Sequence, residues 1–126
     1  MRYREIFEGG ADTVLITSLY TPNELMDEKE LISQYAPPID WNIPLTIHTM
    51  HSDELKNLEN SNANILNSFR NANKTQRDIV KRKIEHFDHE RIVVLYGKEV
   101  IDGNHHIIAA IRAKKSIRYI DLSEWD

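Results

Sequence analysis

The stretch "VVLYGKEVIDGNHHIIAAIRAKKSIRYIDL", Val93 to Leu122, reads as strand, turn, strand, helix and closing strand. The first two runs are rich in Val, Ile and Tyr, which suit a pleated surface, and Gly97-Lys98 between them is a two-residue hairpin turn. His105 to Lys115 read as a helix with Ile107, Ile108 and Ile111 facing inward, and Ala109 and Ala110 are small enough to let it lie close on a sheet. "SIRYIDL" closes the motif as a strand. At the junction of strand and helix stand Asp102, Gly103, Asn104, His105 and His106. A structural reading of the junction is sufficient: glycine permits the turn, and Asn104 or Asp102 caps the helix. A functional reading competes with it. A helix start fed by a glycine turn points free N–H groups and the positive end of the helix dipole at an anion.

Upstream, "DTVLITSLYTP" (Asp12 to Pro22) is β-branched and reads as a strand. "TPNELMDEKELISQYAPP" (Thr21 to Pro38) reads as a helix. Thr21 and Glu24 form a capping box, Pro22 takes the first turn, Leu25, Leu31, Ile32 and Tyr35 make an apolar stripe, and Pro37 and Pro38 stop it. "WNIPLTIHTM" (Trp41 to Met50) holds a proline and reads as an edge strand or strap. In the polar stretch that follows, Ser52 is expected to cap a helix containing Leu55 and Leu58. Ile65, Leu66 and Phe69 form a second short helix. Thr75 caps a third, with Ile79, Val80, Ile84 and Phe87 inward. No internal repeat or long Gly/Ser/Pro linker occurs. Residues 1–126 are therefore expected to form one α+β domain, a small mixed β-sheet covered by helices.

At 126 residues the chain is long enough for a modest core without disulfides, and the absence of cysteine excludes thiolate metal sites and cysteine chemistry. Sixteen basic against twenty acidic residues give a formal charge of −4, which disfavours general duplex-DNA binding. Two basic clusters, Lys74–Lys83 and Arg112–Arg118, read as solvated helix surfaces, with a DNA-binding accessory as the rival for the first. No run reaches the ~18 apolar residues of a membrane span, and the first residues lack a signal-peptide apolar core; the expectation is a cytoplasmic protein.

The motif Asp102-Gly103-x-His105 followed by Ala109-Ala110, set between a hairpin and "IRYIDL", resembles the ParB/sulfiredoxin superfamily. Its form is most similar to the free-serine-kinase-like members and the phage "ParB-like nuclease" members. The resemblance covers about the last third of the chain, and the polar helix before it in outline. It implies a sulfiredoxin-like fold and a nucleotide or nucleic-acid phosphate site at residues 102–106. Gly103 would let backbone approach the phosphate, and Asn104 and His105 would donate to it. Asp102 would hold Mg²⁺ or take a proton from the acceptor. His106 stands where the family has a phosphate-gripping arginine, and supplies charge only when protonated. Glu24 lies near the region from which family kinases bring a carboxylate base, so Asp102, His105 and Glu24 are the catalytic candidates.

The ligand implied is a nucleoside triphosphate or diphosphate with Mg²⁺, and the reaction phosphoryl transfer or phosphodiester hydrolysis. Sulfiredoxin repair is excluded by the missing cysteine. Chromosome partitioning is not expected, because no N-P-x-x-P-R stretch and no following helix-turn-helix segment are visible. The alternative is a non-catalytic phage or mobile-element interaction or inhibitor protein that keeps the fold and binds a host or phage protein through its acidic, Asn-rich face. Three histidine pairs, His48/His51, His86/His89 and His105/His106, are weaker candidates for a metal site.

Overall fold

The hairpin expected from the sequence is the centre of the molecule. The computed structural model describes residues 12–34, 41–61 and 63–125. Strands β1 (Thr13–Val14) and β2 (Leu45–Thr46) form a separate antiparallel pair. The remaining strands are β3 (His48–Met50), β4 (Glu59–Asn60), β5 (Ala63–Asn64), β6 (Ile92–Tyr96), β7 (Glu99–Asp102) and β8 (Ile117–Asp121). They make one mixed sheet in the order β3-β8-β6-β7-β4-β5. β6 and β7 are joined by the Gly97-Lys98 turn, with Gly97 at φ +61°. β8 returns on the far side of β6, parallel to it. The helices are α1 (Pro22–Ser33), α2 (Ser52–Leu55), α3 (Ile65–Ser68), α4 (Lys74–Glu85) and α5 (Asn104–Ala113). The α+β class and the helix-covered mixed sheet are as the sequence indicates.

Alternation along the strands creates two cores, one on each face of the sheet. Val93, Leu95, Val100 and Ile117 join Val80 of α4 and Ile107, Ile108, Ala109 and Ala110 of α5. Val94, Ile101, Ile120 and Leu122 join Ile16, Leu45 and Ile32 of α1 on the other face. Tyr20 and Trp41 pack at the margin of this second core, with the Lys29 ammonium 5.2 Å from the Trp41 ring centroid. The result is a three-layer stack with α4 and α5 on one side and α1 on the other.

Several local expectations change. The β-branched run after Asp12 gives only the short β1, then a 3₁₀ turn at Ile16–Leu19 closed by Ser18 N–H donating to the Leu15 carbonyl, which buries Ile16 completely. α2 ends at Leu55 and excludes Leu58; Ser52 is its first residue rather than its cap. α4 is capped by Asn73, which exchanges side-chain and backbone hydrogen bonds with Gln76, and Thr75 lies inside the first turn. α5 has Gly103 as its cap with no side-chain cap bond, so neither Asn104 nor Asp102 takes that role. The capping box of Thr21 and Glu24 is present as expected. Tyr35, Pro37 and Pro38 lie outside the described residues. Among the described residues, no helix is long and apolar enough to cross a membrane.

Candidate functional site

The junction is built by a close approach. Gly103 adopts φ +118°, and a Cβ placed there would meet Val93 Cγ2 at 2.9 Å and Cγ1 at 3.2 Å. A side chain is excluded both by backbone conformation and by space. The approach seats the start of α5 against β6. The first intrahelical bond runs from Ile107 N–H to the Gly103 carbonyl at 2.9 Å, so the N–H groups of the first turn have no helical partner. A β-bulge at Ile101, where Val94 pairs with Asp102 but Leu95 with Val100, sits beside this turn and raises the local twist.

The turn forms one wall of a cleft of about 150 Å³. Lys83 from α4 and Arg91 just before β6 complete it. Burial, with the neighbouring Arg91 charge, holds the Lys83 amine below its ordinary pKa. Two cations and a helix N-terminus thus face one small space, which favours an anion. Asp102 partly offsets this: its Oδ2 accepts from the Tyr20 hydroxyl at 2.9 Å and from Arg91 Nη2 at 3.4 Å.

Arg91 and Asp102 also line a larger cleft of about 640 Å³ on the α1 side, with Tyr20, Glu24, Asp27 and Glu28. Burial, then the charge and hydrogen bond of Asp102, push the Tyr20 hydroxyl well above the usual phenol range. Burial, then the Asp102 charge, raises Glu28. Tyr20 is a clamp between carboxylates and stays protonated.

The structure brings Asp102, Gly103, Asn104, His105 and His106 into one cleft and places Glu24 on the wall of the adjoining one. Glu24 caps α1, its Oε1 accepting from the Thr21 N–H at 2.9 Å, and that backbone hydrogen bond is the main reason its pKa is lowered. His105 is half-buried and edge-on to Phe69, with ring centroids 6.1 Å apart; burial, then Lys83, lowers its pKa. His106 is 2% exposed and stacks on Phe87 at 4.6 Å. Burial, aided by Arg91 and Lys83, brings its pKa down to about 4. The imidazole is therefore neutral at physiological pH and does not act there as the cation expected of an arginine substitute.

Lys83 and Arg91 are the site residues that sequence reasoning missed. A signal for Lys83 existed: it lies three residues after the buried Val80 and four before Phe87, a lysine on the inward stripe of an otherwise solvated helix. Arg91 had no comparable signal.

Among the described residues, no three His, Asp or Glu side chains gather to hold a metal ion, and Asp102 already binds Tyr20 and Arg91. Of the histidines, His48 Nε2 pairs with Glu124 Oε2 at 2.7 Å, and His89 packs edge-on to the Phe87 ring on which His106 stacks. No family model, curated protein or solved structure matches the chain.

Proposed function

We propose that this chain is a phosphate-binding domain of the ParB/sulfiredoxin type, taking the phosphate of a nucleotide or nucleic acid at residues 102–106. The observation that carries the reading is the small cleft at the start of α5, where Lys83 and Arg91 supply positive charge beside unpaired helix N–H groups. Gly103 permits the close backbone approach, Asn104 and His105 stand at the mouth of the helix, and Lys83 and Arg91 take over the charge that the family's arginine would provide. The ion pair of Asp102 with Arg91 and its bond from Tyr20 favour a positioning role for Asp102 over metal binding.

A second reading, phosphoryl transfer or phosphodiester hydrolysis, is supported by one feature: Glu24, the expected carboxylate base, shares a cleft with Asp102 and Arg91. In that reading Glu24 receives the proton of the attacking hydroxyl. The phage or mobile-element setting rests on the resemblance, and a host or phage protein partner on the acidic, Asn-rich face.

Thermal shift with a panel of nucleotides tests the binding reading. A ligand at a hundred times its Kd stabilises the native state by about 2.7 kcal/mol, and Lys83→Ala should erase most of that gain. A panel in which no phosphate compound shifts the wild type would sink it. Turnover lost in Glu24→Gln with binding retained would establish the catalytic version.

A further inference from the structure

Two buried side-chain atoms lack a hydrogen-bond partner among the described residues, Asn104 Oδ1 and His106 Nε2, and both residues line the small cleft. Buried polar atoms are nearly always paired, because leaving one orphaned costs folding stability. Two orphans on the first turn of α5, on residues that line a cleft with Lys83 and Arg91, mark a place where something else completes the bonding. They also differ in kind. A neutral imidazole protonated at Nε2 is a donor there, whereas an amide oxygen only accepts. A volume of about 150 Å³ suits a phosphoryl group and little more.

We infer that the cleft selects a protonated tetrahedral oxyanion, hydrogenphosphate or a phosphate monoester. His106 Nε2–H donates to one oxygen, and Asn104 Oδ1 accepts from the P–OH. The inference rests on the reading of this cleft as a phosphate site and adds the chemical form of the ligand. An acceptor at the floor repels a fully ionised oxygen and rewards a protonated one. A monoester has a second pKa of about 6 and retains a proton near neutrality at little cost. Sulfate and phosphodiesters are fully ionised there and offer no proton. The site is therefore expected to prefer a terminal phosphate to a nucleic-acid backbone.

Titration calorimetry on the full chain at constant ionic strength, at a pH of about 6.5, compares inorganic phosphate, methyl phosphate, dimethyl phosphate and sulfate. The first two should bind about tenfold or more tighter, the worth of one hydrogen bond gained and one repulsion avoided. His106→Phe keeps the stack on Phe87 and removes the orphaned nitrogen. It should raise the melting temperature of the free protein while weakening phosphate about tenfold. Asn104→Ala should reduce the preference for phosphate over sulfate. Nitrogen NMR of the wild type gives a readout independent of any variant: the His106 Nε2 signal should move on adding phosphate and stay in place on adding sulfate. Equal affinities for phosphate and sulfate, an unmoved His106 signal, or wild-type affinity in His106→Phe would each overturn the inference. If Lys83→Ala still abolishes phosphate binding in those cases, the phosphate-site reading stands without it. If no phosphate compound binds the wild type, both fall.

Discussion

Gly103 and His106 sit three residues apart and show opposite kinds of constraint. At Gly103 the backbone needs φ +118° and the space belongs to Val93. Gly103→Ala should cost about 2–4 kcal/mol in chemical denaturation, strain and steric overlap both contributing. At His106 the constraint is on charge. Its folded-state pKa of about 4 lies below the ordinary value of 6.5, so the unfolded chain binds the proton more readily. Stability should be flat above about pH 7, fall as pH drops through 6.5, and level off once pH passes below 4. A shift of this size corresponds to roughly 3 kcal/mol. His105 shifts in the same direction, and Lys83, Arg91, Asp88 and His89 contribute charge around His106. The His106 share is therefore read as the difference between wild type and His106→Phe in the pH dependence of denaturant midpoints. A variant with an unchanged acid limb would show that the imidazole is solvated. The glycine was legible in the sequence because only its geometry suits such a turn. The neutral state of His106 was not, because it depends on Phe87 and two cations supplied by other segments.

At the scale of elements, the caps separate what propensity decides from what packing decides. Thr75 and Asn73 are both good capping residues, two positions apart, and the choice between them is made by where Val80 must land in the core. Asn73→Ala should destabilise by about 1 kcal/mol, and Thr75→Ala by no more than a few tenths, in urea melts. A larger loss for Thr75→Ala would contradict the observed helix start. α5 ends differently from the usual pattern: Lys114 occupies the left-handed position, φ 57° and ψ 45°, commonly held by glycine. Lys114→Gly should therefore stabilise the protein by about 0.5–1 kcal/mol, relief of strain outweighing the added freedom of the unfolded chain. The hairpin and α5 were readable from sequence because the turn residues, alternation and apolar period all agree. The β-branched residues of the run after Asp12 suit a strand, while burial of Ile16 in the second core requires a turn.

Across the whole molecule, Tyr20 links the α1 layer to the end of β7 through Asp102 and so couples the two clefts. Tyr20→Phe should cost roughly 1.5–3 kcal/mol, as expected for a hydrogen bond to a charged acceptor, and should leave Arg91 as the only partner of Asp102 Oδ2 among the described contacts. Loss of stability with phosphate affinity preserved would assign Tyr20 to architecture; a parallel loss of affinity would show that the clamp positions the site. The sequence by itself determined the α+β class, the hairpin, the glycine turn and the helix start at residues 102–106, because each depends on short-range geometry and periodicity. Only the tertiary structure decided the order of the sheet, the pairing of β4 with β5, and the arrival of Lys83 and Arg91 beside His106. Those outcomes depend on which layers cover which face of the sheet. Electrostatics and burial at a point are set by every segment that reaches it, and neighbours distant along the chain leave no local mark in the sequence.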